Sequence, residues 1–332
     1  MEVLATFFNV GLFVATIRTT TPILLVALGG SFTTKAGIFN IGLEGQMLIA
    51  AFFAVIGSIW TGSSFGGLLI GVAAALAFAL VYAVLVVSFR ANEVVVGLAL
   101  NILAGGMTIS LMKAIFGTRG SVVGRGIVGL PKVQLPGARD MLGPSYAQLI
   151  SGYTPLVYVA FLSVPLLILF YARTRLGLYL RVVGEKPEAA ETLGISIAKV
   201  RYIASLLCGL FAGLAGAHMS LGYITMFTEN MSSGRGFMAV AILIFSAGNP
   251  LKVLLGCLLF GFADAFSLRL QILNFPSYLI LAVPYAVALM ALFVLSWRTR
   301  PKLVRETLET MRSALSGKAQ DSGGKLPADN RS

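Results

Sequence analysis

Long apolar runs separated by short polar segments form the main pattern of this chain. Each run is about 20 residues long, which is the length that an α-helix needs to cross ~30 Å of hydrocarbon. The pattern therefore predicts an all-α, polytopic membrane protein with about nine transmembrane helices (eight to ten), some of them broken or re-entrant. The predicted spans cover approximately residues 4–32, 38–60, 68–89, 94–112, 155–172, 202–221, 237–247, 253–270 and 278–297.

Several of these spans contain irregular features. Arg18 and Pro22 interrupt the first run, which predicts either one long helix or an interfacial helix followed by a span. Pro165 lies within the fifth span, where a proline bends a helix because it removes a backbone donor. The seventh span, 237–247, is too short for a regular crossing and is therefore predicted to be short or broken.

Glycine is abundant, at 37 residues, and this abundance is compatible with helices only in lipid. In a bilayer, small residues allow neighbouring helix backbones to approach closely. Two motifs with glycines four residues apart, Gly67 with Gly71 and Gly209 with Gly213, therefore predict tight helix contacts.

The composition supports a membrane protein and argues against a nucleic-acid partner. Apolar residues make up 57% of the chain and charged residues only 11%, compared with roughly 25% in soluble domains. The net charge of +12 comes from lysines and arginines between the apolar runs and in the tail, where anionic lipid headgroups attract them. We therefore predict one membrane domain over 1–297 and a basic, partly disordered tail over 298–332 that begins with an interfacial helix.

The distribution of basic residues predicts the orientation. The 173–201 loop and the tail are both rich in lysine and arginine, which favours the cytoplasmic side. Four predicted spans separate them, so both can face the cytoplasm. The 113–152 segment then lies outside, although it carries five basic residues of its own. The expected location is a bacterial plasma (inner) membrane, with a cytoplasmic C-terminus.

Polar side chains within the apolar runs are costly in lipid, so each must face a partner or water. The most informative group is Asn40, Glu44, Gln46 and Asn101. Glycines flank Glu44, as expected of an irregular helix start whose backbone lines a cavity. We interpret these four residues as candidates for a substrate pathway. A structural role in helix caps and interhelical hydrogen bonds is the alternative.

Three further ionisable residues have plainer interpretations. Glu93 opens the fourth span and is predicted to lie near a helix N-cap at the interface. Asp264 and Arg269, near the outer end of the eighth span, are interpreted as rim residues or as an internal ion pair.

No catalytic residue, cofactor or metal site is predicted. Residues 62–66 spell G-x-S-x-G and, with His218, offer an intramembrane serine hydrolase as a lesser alternative, but we interpret the segment as a short turn, which needs small polar residues anyway. A G-x-G-x-x-G pattern at 124–129 has no predicted strand before it and is interpreted as a flexible loop. The single histidine excludes a multi-histidine site, and Cys208 and Cys257 are interpreted as core residues. The chain has no phosphate-binding loop, so any ATP must bind to a partner.

The most informative cytoplasmic segment is GEKPEAAETLGISIAKVRY. Pro187 and Glu188 suit the first turn of a helix, and Gly194 suits its left-handed end. Ala189, Ala190 and Leu193 would form a small apolar surface. A short rigid helix of this kind between two spans is suited to docking into a cleft of another protein.

This segment resembles the EAA loop of bacterial ABC importer permeases, through Glu188, Ala189, Ala190 and Gly194. The later part of that pattern is missing here, as it is in the branched-chain amino acid, ribose and nucleoside group. The stretches GIFNIGLEGQMLIAAFFA, ANEVVVGLALNILA, SSGRGFMAVAILIFSAGNP and LFGFADAFSLRLQ are similar to the simple-sugar and nucleoside (guanosine-type) permeases of that group.

The resemblance implies a non-enzymatic permease subunit that imports nucleosides, related ribosides or simple sugars. It implies three protein partners: an ABC ATPase subunit, a second and non-identical permease subunit, and an extracytoplasmic substrate-binding lipoprotein. In the family, Pro187, Glu188, Ala189, Ala190 and Gly194 would belong to the helix that couples the permease to the ATPase. An ion-coupled secondary transporter remains the main alternative, since it would need no ATPase.

Overall fold

The computed structural model describes residues 9–124, 126–134, 143 and 146–270, together with residues 286, 287 and 290. The chain divides into two compact units, residues 1–284 and 285–332, and the description below concerns the first. Apart from residues 286, 287 and 290, the ninth predicted span lies outside the described residues, and so does the tail.

Seven described helical segments are long and apolar enough to cross a membrane. We label the helices of the described part α1 to α10 in chain order: α1 Val10–Lys35, α2 Leu43–Thr61, α3 Ser64–Ala83, α4 Glu93–Phe116, α5 Pro155–Arg173, α6 Arg175–Glu185, α7 Pro187–Thr192, α8 Ile197–Ala217, α9 Arg235–Ser246 and α10 Pro250–Leu270. Two of them continue as π-helix, α3 over Val84–Ser88 and α8 over His218–Tyr223.

Seven of the first eight predicted spans are confirmed, with small shifts at their ends, and the seventh is short, as predicted. The described part of the first run forms one continuous helix, α1, although Arg18 and Pro22 lie within it. Threonine side chains help to satisfy its backbone, since Thr16 and Thr21 donate to the carbonyls of Leu12 and Ile17 at 2.8 and 2.7 Å. The seventh predicted span is the 12-residue α9, which at 1.5 Å per residue is about 18 Å long and too short to cross.

The core of the bundle is formed by α1, α2 and α8. Of an 18-residue apolar stretch of α2, 83% of the residues are buried, whereas only 28% are buried in the corresponding stretch of α4. Helix α8 packs against α1, α2 and α3, while α10 packs against α1. The residues around the start of α2 therefore lie in the protein interior rather than at the lipid face.

Both predicted glycine motifs lie at close helix contacts. A Cβ atom at Gly67 or Gly71 of α3 would come within 2.6 and 2.7 Å of the Ala54 and Ala50 carbonyl oxygens of α2. At Gly213 of α8 it would lie 2.8 Å from the Cα of Val72 in α3. Only hydrogen fits in these gaps, which is why glycine occupies them.

A short two-stranded antiparallel sheet lies in the connecting segments. Strand β1, Ser121–Val123, pairs with strand β2, Met226–Thr228. The prediction that no strand precedes the glycine pattern at 124–129 is therefore wrong, because β1 ends directly before Gly124. The described residues directly after Gly129, 130–134, contain no helix, so a strand–turn–helix typical of a dinucleotide-binding turn is not formed there.

Candidate substrate pathway and coupling segment

The side chain of Glu44 joins two helices that are far apart in sequence. It lies in the first turn of α2, is 6% exposed, and accepts hydrogen bonds from the backbone of the segment that starts α9. Gly234 N donates to Oε1 at 2.8 Å, and Gly236 N donates to Oε2 at 2.6 Å. The carboxylate therefore caps the positive N-terminal end of α9, where a negative charge is favourable.

Asn101 holds the start of α2 from the neighbouring helix α4. Its Oδ1 accepts from Gly45 N at 2.7 Å, and its Nδ2 donates to the Ile41 carbonyl at 3.0 Å. Asn101 lies eight residues after Glu93, the first residue of α4, so α2 begins about 12 Å along that helix. The residues from Ala36 to Gly42 thus run as irregular backbone beside α4, in agreement with the predicted broken or re-entrant element.

Asn40 and Gln46 meet at the thiol of Cys208 on α8. Asn40 Nδ2 lies 3.4 Å from the sulfur, and the thiol lies 3.9 Å from Oε1 of Gln46. Asn40 Oδ1 also accepts from Gly42 N at 2.8 Å. Within the described residues Nε2 of Gln46 is buried with no hydrogen-bond partner. All four predicted pathway residues therefore surround the first turn of α2.

The loop that leads into α9 has an unusual backbone. Asn230 and Ser233 adopt positive φ angles of 53° and 47°, and Gly234 follows at 80°. Gly236 packs directly on the Glu44 backbone, since a Cβ there would lie 2.5 Å from the Glu44 Cα. Sequence analysis missed this loop as the partner of Glu44, because nothing local connects residues about 190 positions apart.

The suggested ion pair between Asp264 and Arg269 is wrong, because each of these residues has a different partner. Asp264 instead pairs with Arg235, the first residue of α9, at 3.0 Å, with both side chains 18% exposed. Arg269 donates a hydrogen bond to Asn9 Oδ1 at 2.7 Å. Five residues along a helix turn the side chain by about 140°, so Asp264 and Arg269 face different neighbours.

Glu93 is more than an interfacial N-cap residue. Its carboxylate accepts the backbone N–H of Phe39, in the irregular segment before α2. Asn92 instead provides the cap, since its Oδ1 accepts from Val94 N and Val95 N at 3.0 and 3.2 Å.

Ser64 and His218 do not form the nucleophile–base pair that a serine hydrolase needs. Ser64 begins α3, whereas His218 pairs through Nδ1 with the Thr154 hydroxyl at 3.2 Å. No described hydrogen bond joins His218 to Ser64, so the pair lacks the contact that a general base makes with its nucleophile.

The segment predicted to dock on another protein forms the short helix α7, with Pro187 in its first turn. Gly194 has a φ of +73°, and its N–H donates to the Glu191 carbonyl at 2.9 Å. Ile195 N donates to the Ala190 carbonyl at 2.9 Å. These two bonds form a Schellman motif, which ends the helix sharply and makes it a compact unit.

The apolar surface proposed for this helix needs correction. Ala190 is fully buried within the chain, where α7 packs against α6 and α8, so it is unavailable to a partner in this conformation. Leu193, by contrast, is 71% exposed, and Glu188 and Glu191 are exposed as well. The surface that α7 presents is therefore a leucine flanked by carboxylates rather than a pair of alanines.

A cleft of about 680 Å³ lies beside α7. One wall is the link between α7 and α8. The other wall is the end of the π-helical segment that continues α3, together with the link from it to α4. Arg90 and Arg201 line it together with Glu93 and Glu191. Two connecting segments from different parts of the bundle therefore share one accessible recess.

Apolar helices around buried polar groups, with a compact capped helix exposed between two spans, define a multi-pass membrane protein. Residues 12–295 match the family described as the permease component of branched-chain amino acid transport systems, and the chain belongs to this family. It is accordingly the non-catalytic permease subunit of an ABC importer, whose ATPase is a separate partner.

Three relatives illustrate the similarity. TsgC13 of Haloferax volcanii, provisionally named a glucose ABC transporter permease, is 37% identical over 269 residues, which cover 80% of each chain. The guanosine ABC transporter permease NupQ of Bacillus subtilis is 36% identical over 84% of this chain and 89% of its own length. The nucleoside ABC transporter permease NupC of Lactococcus lactis is 33% identical over 73% and 77%.

Proposed function

We propose that this subunit forms part of the transmembrane pathway for nucleosides, related ribosides or simple sugars. The names of the three relatives support this range, since two denote nucleoside or guanosine transport and one denotes glucose transport. The test is uptake of a labelled nucleoside into vesicles that contain the complete transporter, with unlabelled nucleosides and sugars as competitors. If only sugars competed for uptake, the transported substrate would be a sugar rather than a nucleoside.

The proposed assembly contains this subunit, a non-identical second permease, an ABC ATPase and an extracytoplasmic substrate-binding lipoprotein. The weakly buried helix α4 offers a large apolar face to lipid or to a neighbouring subunit. Affinity purification of this chain after expression together with candidate ATPase, permease and substrate-binding subunits tests the assembly. An ion-coupled carrier would instead be active alone, and its uptake would follow an ion gradient without ATP.

For orientation we propose that the 173–201 loop and the 298–332 tail face the cytoplasm in a bacterial inner membrane, with the 1–297 domain spanning it. The lysines and arginines of that loop and of the tail support this orientation. Cysteines introduced as Gly124→Cys, Lys186→Cys and Lys318→Cys test it, because the two native cysteines of the described part are buried. Reagent added outside intact cells should label only position 124, and labelling of position 186 would reverse the topology.

The polar residues around the start of α2, Asn40, Glu44, Gln46 and Asn101, are proposed to support the substrate route. The geometry that favours this role is a helix junction inside the bundle. The positive end of α9 and the irregular backbone before α2 meet there, as at discontinuous helices that bind solutes. Of these four residues, Gln46 has a buried donor, Nε2, that makes no hydrogen bond within the described part of the chain. Gln46→Leu should therefore raise the KM for uptake, whereas an unchanged KM would remove Gln46 from the route.

Coupling to the ATPase is proposed to pass through α7, from Pro187, Glu188, Ala189 and Ala190 to Gly194. The observation that carries this proposal is the Schellman end of the helix, which makes an otherwise short segment rigid enough to transmit movement. Gly194→Val should strain this end, since a β-branched residue disfavours a φ of +73°.

A matched control for that variant is Gly62→Val. Gly62 also has a positive φ, of +62°, and a Cβ there would meet nothing within 4 Å, as at Gly194. Both variants should insert into the membrane, but only Gly194→Val should lose ATPase copurification and ATP-dependent uptake. Equal losses in both would mean that general strain, rather than coupling, explains the defect.

A further inference from the structure

A second polar cavity lies beside Arg18 of α1 and His218 of the π-helical segment that continues α8. It is too small for a nucleoside or a sugar. Its volume is about 50 Å³. Roughly 10–15 Å³ is enough for one water-sized sphere, so the cavity can hold one small ion with a few waters. Its lining comes from α1, the start of α5, the π-helical end of α8 and the 126–134 segment.

Two buried polar side chains at this cavity lack partners among the described residues. Nε2 of His218 and the hydroxyl of Tyr153 make no hydrogen bond, although the residues are only 2% and 4% exposed. Leaving such a group unpaired costs free energy, so an orphaned pair at one cavity indicates an occupant. His218 also begins the π-helix, and π-helical turns are frequent at functional sites.

The charge at the mouth of the cavity is positive. Arg18 and Lys132 both line it, and Arg18 also lies over the Tyr153 ring, 5.9 Å from its centre. No Asp or Glu of the described part lines the cavity. Burial raises the pKa of Tyr153, which keeps its hydroxyl protonated and able to donate. Two cations and a buried donor without a carboxylate favour an anion over water alone.

Backbone hydrogen bonds hold the walls in place. Val133 N donates to the Tyr153 carbonyl at 2.8 Å, and Gly152 N donates to the Val133 carbonyl at 2.9 Å. Leu130 N donates to the Leu221 carbonyl of the π-helical turn at 2.9 Å. Lys132 is therefore carried by a segment that is fixed on both sides of it, which keeps the cation beside the cavity.

We propose that this cavity binds one small monovalent anion of halide size, held by Arg18, Lys132, Tyr153 and His218. The bound anion fastens the 126–134 segment across the ends of α1, α5 and α8. It is a structural ligand, separate from the transported substrate, so the proposal does not depend on which solute the transporter carries.

The test compares the thermal unfolding midpoint of the full-length chain in lipid nanodiscs in sodium bromide and in sodium gluconate at equal ionic strength. Equal ionic strength removes general screening, and gluconate is too large for the cavity. Bromide should raise the midpoint saturably, and anomalous scattering should place it beside Lys132. Equal midpoints in the two salts and an empty anomalous map would overturn the proposal.

Variants make the test specific. Lys132→Gln removes a charged hydrogen-bond partner and should raise the half-saturating bromide concentration about tenfold or more. Lys113→Gln, a cation of α4 outside the cavity, is the matched control and should leave it unchanged. A bromide response in Lys132→Gln equal to that of the control would contradict the site.

Tyr153→Phe distinguishes a cavity that holds a bound anion from an empty cavity in which the Tyr153 hydroxyl has no hydrogen-bond partner. If the hydroxyl donates to an anion, this variant loses much of the bromide-dependent shift. If the hydroxyl has no partner, its removal raises the midpoint equally in both salts, and the proposal fails. Asp140→Asn tests the acidic residue that lies between Lys132 and Tyr153 in sequence and outside the described residues. A bromide response that appears only in this variant would show that Asp140, and not a free anion, fills the cavity.

Discussion

Replacing Glu44 with glutamine tests the junction between α2 and α9 most directly. The carboxylate accepts two backbone N–H groups, from Gly234 and Gly236, in a site that is only 6% exposed. Glutamine has the same shape but a single acceptor oxygen, so one of these N–H groups loses its partner. An orphaned buried donor costs about 1–3 kcal/mol. Loss of the negative charge at a helix N-terminus adds about 0.3–1 kcal/mol, or up to ~2 when partly buried.

These terms predict that Glu44→Gln lowers the free energy of unfolding by about 2–4 kcal/mol. Equilibrium unfolding of the purified subunit in mixed micelles measures this change, and vesicle uptake measures its effect on transport. We expect a folded protein with reduced uptake, because the start of α9 is no longer fixed to α2. Protease sensitivity between Asn230 and Gly234 should rise, since the positive φ angles there lose their support.

Glu93→Gln is the matched control. The Glu93 carboxylate also accepts a backbone N–H, from Phe39, but its side chain is only half-buried. Water can replace the lost acceptor there, so we expect a smaller cost of about 1 kcal/mol. The reasoning would be refuted if Glu44→Gln left both the unfolding free energy and the uptake unchanged, or if the two variants were equally destabilised.

Three further predictions follow from packing and exposure. Gly213→Leu should prevent the close approach of α8 to α3 and lower the yield of folded protein. Gly105→Leu should leave that yield unchanged, because a Cβ at Gly105 meets nothing within 4 Å; equal yields would show that the contact tolerates side chains. Leu193→Asp should keep the fold and weaken ATPase copurification, since this side chain is 71% exposed, and full copurification would exclude it from the interface. Ser64→Ala should transport normally, and a transport defect in assembled protein would revive a role for its hydroxyl.

The two alanines of α7 show how far the sequence could carry the interpretation. The proline, the acidic first turn and the terminal glycine predicted the helix and its left-handed end, because each acts on the backbone next to it. Which face the helix presents could not be predicted in the same way. Ala190 is buried because α6 and α8 lie behind it, and the short segment itself contains no signal for that packing.

The membrane class, seven spans within the described part, the close glycine contacts and the short loop helix could all be predicted from the sequence. These features are local: the bilayer demands about 20 apolar residues for each crossing, and every backbone group must be paired within its own helix. Three features became visible only in the folded chain: Glu44 caps α9, Asp264 pairs with Arg235, and His218 and Tyr153 line the same cavity. Those partners are distant in the chain, and they meet because of how the helices pack. Helix packing depends on side-chain shape across the whole bundle rather than on any one segment.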